Sequence, residues 1–133
     1  PENTSSSHRY RLPRKNILRG KDNFQRMFKE GIHFHAKTID LKFLIFPDSS
    51  EEFRIGFVAS KRLGNAVKRN HIKRIMREAF RLNQHILIEY CKSSNLGLHL
   101  VLIAKNTNSD FNNVEKDCVN LLKLVRKHIQ NTL

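Results

Sequence analysis

Only two cysteines, Cys91 and Cys118, occur in the 133 residues. Both lie in apolar surroundings, with neither CxxC spacing nor a signal-like amino terminus, which argues against a disulfide framework and favours a reducing cytosol. Two inert buried thiols are expected. Long apolar runs are also missing. The longest, Leu96 to Ala104, is interrupted by Gly97 and His99 and falls far short of the roughly twenty residues a membrane span requires. No segment sets a basic face against a spare Trp, Phe and Leu face, because every apolar stripe is needed for the core, so binding to a membrane surface is not expected. Internal repeats are absent.

The chain is equally poor in what hydrolytic chemistry needs. Phosphodiester cleavage by a protein calls for carboxylates holding paired Mg²⁺, or for a histidine acting as acid or base. The 12 acidic residues are scattered: Glu51 and Glu52 sit beside Asp48 in a turn, while Asp40, Glu78 and Glu89 belong to separate elements. His33 and His35 would point the same way on a strand and suggest a metal pair. With no Cys or third His at ligand spacing, and with cations nearby, they read instead as a polar strand end, and no protein-bound metal is expected. His8, His85, His99 and His128 are isolated, and no HExxH, Walker loop, GxSxG or GxGxxG motif is present. A protein-only nuclease is therefore the weaker class.

What the chain has in abundance is positive charge, with 25 Lys and Arg and a formal net charge of +13. Residues Lys61 to Arg81, KRLGNAVKRNHIKRIMREAFR, hold eight of those cations against one acid, Glu78. Concentration of this kind argues for docking on phosphates. A hydrophobic content of 39% is enough for one compact domain with a real core. The segment 1–16 is polar and basic, with too little apolar surface to offset the entropy of ordering, and reads as a flexible tail ahead of a domain spanning 17–133.

Local patterns then place the elements. Asp22 and Gln25 have capping-box spacing before a helix from about Asn23 to Glu30, stopped by Gly31, with Phe24, Met27 and Phe28 on one face. Ile39, Leu41, Phe43 and Ile45 alternate with Asp40, Lys42 and Leu44 as a strand, and Pro47 to Ser50 marks a turn. Phe53 to Ser60 reads as its antiparallel hairpin partner. A central helix begins near Gly64-Asn65, with Asn65 as cap, and runs to about Asn83. Leu87 to Tyr90 either extends it or forms an irregular link. A strand over Leu98 to Ala104 and a final helix from about Asn112 to His128, packing through Val114, Val119, Leu121, Leu122 and Val125, complete the chain.

The central helix carries the functional signal. At about 100° per residue, Ile72, Ile75, Met76, Ala79 and Phe80 share one face, while Asn70, Lys73, Arg74, Arg77 and Arg81 cluster opposite. Such spacing lets cations meet successive phosphates while the apolar face anchors the helix on a sheet. Arg offers a planar fork of donors, and Asn70 both donates and accepts. A merely solvated face would need acids at the i+4 positions, and it has essentially none. The preceding element is a strand, not a helix, which argues against helix-turn-helix reading of DNA. A ribosomal structural protein would share the charge and the tail.

The segment FRIGFVASKRLGNAVKRNHIKRIMREAFR resembles the signature of the bacterial ribonuclease P protein subunit. The resemblance extends upstream through NFQRMFKEG and downstream through LVLIAK, covering about Ile17 to His128. It implies a single-domain α/β sandwich of order α-β-β-β-α-β-α, like the second domain of ribosomal protein S5. It also implies a left-handed crossover from Phe53 to Ala104, against the right-handed rule obeyed in about 98% of cases. A member of this family would not cut RNA itself. It would bind ribonuclease P RNA and precursor tRNA in the cytoplasm and support removal of the 5′ leader, with Mg²⁺ at the RNA active site and no cofactor held by the protein. The implied RNA contacts are Lys61, Arg62, Arg69, Asn70, Lys73, Arg74 and Arg77, and the basic segment adds Lys68 and Arg81 to the expected set. The implied leader cleft is Phe24 and Phe28 with Phe43, although a one-residue length difference between Gly31 and Arg54 leaves Lys42 as the alternative to Phe43. His71 stands where the family usually has Arg or Lys, and Ile17 where it often has Arg. On periodicity alone, Phe24 and Phe28 would be ordinary core residues.

Overall fold

A computed structural model describes residues 11–48 and 53–132. Helix α1 (Lys21–Glu30) leads into β1 (Ile32–His35), β2 (Ile39–Phe46) and β3 (Arg54–Val58). Helices α2 (Ala66–Asn83) and α3 (His85–Ser93) follow, then β4 (Gly97–Ala104) and α4 (Phe111–Thr132). Short 3-10 turns at Arg14–Asn16 and Lys61–Leu63 precede α1 and α2.

The four strands form one mixed sheet in the order β1-β2-β4-β3. β2 pairs antiparallel with β1 and with β4, and β3 runs parallel to β4. This corrects the expected β2–β3 hairpin: β4 lies between those strands, and the hairpin partner of β2 is β1. The crossover from β3 through α2 and α3 back to β4 joins two neighbouring parallel strands, which is why β3 cannot simply fold back on β2.

Strand alternation sends successive side chains to opposite faces. Ile39, Leu41, Phe43, Ile55, Leu98, Leu100 and Leu102 face α2, α3 and α4, meeting Ile72, Met76, Phe80, Leu87, Leu121, Leu122 and Val125 in the main core. On the other face Val101 packs with Met27 of α1 and with Leu18, flanked by Phe24, Leu44, Val58 and Ile103. One face is thus covered by three helices and the other by a single short one.

Local chemistry differs from expectation at two helix starts. Asp22 and Gln25 make no capping box; α1 begins after Gly20, whose φ of 94° favours glycine, with no side-chain cap. Gln84, only 4% exposed, separates α2 from α3 and donates through Nε2 to the Arg81 and Arg11 carbonyls at 3.1 and 2.7 Å. The described part of the expected tail, 11–16, is therefore held on the domain. Asn16 Nδ2 donates to the Phe53 carbonyl at 2.8 Å, and Leu18 N donates to Ile55 O at 2.8 Å along the outer edge of β3. Residues 1–10, 49–52 and 133 lie outside the described segments, and with them part of the expected tail and of the turn expected over Pro47 to Ser50.

Candidate nucleic-acid interface

The start of α2 is built as its sequence suggests. Gly64 adopts φ 151°, a left-handed conformation that L side chains rarely take, and Asn65 then accepts a bond from Lys68 N at 3.0 Å through its side chain. Ile72, Met76, Ala79 and Phe80 are buried against the sheet, which fixes the rotation of the helix and leaves Lys68, Asn70, Arg74 and Arg77 exposed. Lys61 and Arg62 are exposed on the preceding turn, and Arg69 and Lys73 are half-buried.

Partners decide which of these cations are available. Among the described residues, Lys61, Arg62, Lys68, Arg69, Lys73, Arg74 and Arg77 have no carboxylate partner. Arg77 instead places its guanidinium 5.5 Å from the Phe57 ring centroid, a cation–π contact that holds the group at the edge of the sheet. Arg81 differs. It makes a forked ion pair with Glu78 at 2.9 and 2.6 Å, which holds the Glu78 carboxyl below its ordinary pKa. The one acid on the helix thus neutralises the last of the expected contacts and no other.

Across the sheet, α1 presents an aromatic pair. Phe24 and Phe28 stack with centroids 6.5 Å apart, and Phe28 is 42% exposed while Phe24 is half-buried. Phe24 lies so close over β3 that a Cβ on Gly56 would meet its ring at 2.9 Å. Lys42 Nζ donates to the Phe28 carbonyl at 2.7 Å and stands 5.3 Å from the Phe28 ring centroid. Arg26 lies 4.9 Å from the Phe46 ring centroid on the same face. An open aromatic ring beside Lys42, with Arg26 on the same face, suits a single-stranded polyanion.

Phe43 does not belong to this surface. It is fully buried on the opposite face, 5.5 Å from the rings of both Phe34 and His128. One step along the strand puts Lys42 on the α1 face in its place. Arg26 and Phe46 are the residues sequence reasoning did not assign, and Lys42 stood there only as the alternative to Phe43; the strict alternation of β2 is the signal that separates Lys42 and Phe46 from Phe43.

A second polar cluster sits on β1 and β2. His33 Nε2 and His35 Nδ1 each lie 3.2 Å from Asp40 Oδ2, and Lys105 Nζ lies 3.1 Å from Asp40 Oδ1. Burial would raise the Asp40 pKa, but the hydrogen bonds from Lys105 and His33 and the neighbouring positive charge outweigh it and leave it lowered. The two thiols behave as expected: burial pushes Cys91 up to about 11 and Cys118 up to about 12, so both stay protonated and unreactive.

Known proteins place this geometry. The family model described as Ribonuclease P matches residues 12–126. The ribonuclease P protein component of Listeria welshimeri is 32% identical over 117 residues, covering 86% of this chain and 92% of that protein. That of Clostridioides difficile is 32% identical over 108 residues, covering 80% and 88%. Among solved structures, the Staphylococcus aureus RNase P protein superposes with a TM-score of 0.65 at 25% identity, covering 83% of this chain and 94% of that one. The Thermotoga maritima protein gives 0.64 at 28% identity, covering 80% and 94%. Matching in sequence along most of its length and in fold, the chain belongs to the ribonuclease P protein family, the protein component of the endoribonuclease that processes the 5′ leader of precursor tRNA and whose catalysis resides in RNA.

Proposed function

We propose that the two surfaces divide the work of this subunit. The outward face of α2, through Lys61, Arg62, Lys68, Arg69, Asn70, Lys73, Arg74 and Arg77, docks on RNA phosphates. The α1 face takes the single-stranded leader of precursor tRNA, with Phe28 and Phe24 stacking bases and Lys42 and Arg26 meeting its backbone. Stacking on an aromatic face tolerates any base, as a leader that varies between tRNAs requires, and contributes about 1 to 3 kcal/mol per base. The observation that carries the reading is the set of α2 cations left without internal acids on a helix whose other face is anchored.

Catalysis by RNA assigns this chain a cofactor role. By neutralising repulsion between two polyanions, the α2 cations favour binding of substrate and Mg²⁺ occupancy at the RNA active site. No described helix is long and apolar enough to cross a membrane, and we place the subunit in the cytoplasm, where precursor tRNA is made, without DNA or lipid as a partner. Cleavage of precursor tRNA at low Mg²⁺, with RNA subunit alone, protein alone and both together, tests the assignment. Activity is expected from the pair and far less from RNA alone. Multiple turnover by the protein alone would overturn it.

A further inference from the structure

The β1–β2 hairpin carries a cluster that RNA docking leaves unused. Its register sets His35 directly opposite Asp40 and His33 opposite Lys42. Residues at i and i+2, and pairs across a ladder, project to one face, so both imidazoles and the carboxylate converge on the α1 side of the sheet at its β1 edge. One ligand atom from each of His33, His35 and Asp40 lies within 4.8 Å of the others.

The spacing fits a tetrahedral ion. Bonds of about 2.0–2.2 Å to nitrogen and oxygen put neighbouring ligand atoms roughly 3.3 Å apart, and both imidazole nitrogens already stand 3.2 Å from the same Asp40 oxygen. Closing the remaining distance between the two histidines needs small ring rotations, and the His35 side chain, 66% exposed, is free to make them. The carboxylate is held from behind: Lys105 ion-pairs with the other Asp40 oxygen at 3.1 Å and donates to the Ala36 carbonyl. Outer contacts of this sort orient a ligand for metal. Lys105 also adds positive charge, but on the far side of the carboxylate, leaving Oδ2 toward the histidines.

We propose that His33, His35 and Asp40 form a three-ligand site for a borderline divalent cation, represented by Zn²⁺. Two imidazoles with one carboxylate select such an ion over Mg²⁺, which prefers oxygen. The fourth position remains open to water or an anionic oxygen. Cys91 and Cys118 do not compete, being buried.

Calorimetric titration of ZnCl₂ into the reduced full-length chain near neutral pH tests the site, with MgCl₂ as the contrasting ion. One Zn²⁺ per chain is expected, with no response to Mg²⁺ alone. Binding should be lost in H33A and in H35A and retained in H8A, and Co²⁺ should give the intense visible absorbance of tetrahedral coordination in the unmodified chain and in H8A but not in H33A or H35A. Circular dichroism of H35A, altered at an exposed side chain, checks that loss of binding is not loss of fold. Absence of Zn²⁺ binding, or binding unchanged in H33A and H35A, would overturn the proposal.

Discussion

The two faces of this sheet differ in how completely they are covered. Three helices seal one, where Phe43, Leu100 and Phe80 are fully buried. One ten-residue helix crosses the other, leaving Phe28 exposed and Lys42, Asp40, His33 and His35 at a surface. Residues that alternate along a single strand, Lys42 and Phe43, therefore have different roles. The covered face supplies stability, and the open face is available for recognition.

The largest effect should separate these roles outright. Phe43→Ala removes a fully buried ring and should destabilise the fold by about 3 to 5 kcal/mol, read as a lower urea midpoint. Phe28→Ala should change that midpoint little, because its ring is already half in water. Equal destabilisation by the two would erase the contrast between the faces.

A smaller effect sharpens the contrast between paired and unpaired cations on α2. If each phosphate contact on single-stranded RNA contributes about −0.7 to the slope of log K against log[salt], losing Arg74 and Arg77 together should reduce the slope by about 1.4. Arg81→Ala should change it less, since Glu78 already holds that guanidinium. Identical slopes for all variants would remove the electrostatic account of this helix.

The smallest effect concerns the edge of the open face. The folded pKa of Asp40 lies below that of an ordinary aspartate, so its ionised form stabilises the fold above the unfolded value, and the contribution is lost as pH falls through the lowered folded value. Urea midpoints of the wild type and Asp40→Asn should therefore differ at neutral pH and converge in acid. A constant difference across that range would show that the carboxylate charge is not what matters.

Much of this arrangement was legible in residue order. Alternation from Ile39 to Ile45 assigned the buried side of β2, and the Gly64-Asn65 start with the Ile72, Met76, Ala79 and Phe80 stripe placed α2 and its exposed cations. Pairing was not legible, because which strand lies beside β2 depends on β4, contributed by residues more than fifty positions downstream. The same pairing carries a second feature. Without the β1–β2 register, Asp40 could not be seen facing His35, and the histidine pair lacked a third ligand. The break at Gln84 carried no Gly or Pro signal; burial and a bond to the Arg11 carbonyl hold it. Between Phe43 and Lys42, which the family resemblance leaves open, the period of β2 is the guide, and Phe43 is fully buried.

The division between faces meets its most direct test in the assembled ribonucleoprotein, by comparing affinity for precursor tRNA bearing a long leader with affinity for mature tRNA, before and after Phe28→Ala. The account predicts a loss of about 1 to 3 kcal/mol for each base unstacked, confined to the substrate with the leader. Equal weakening of both RNAs, or none of either, would contradict it.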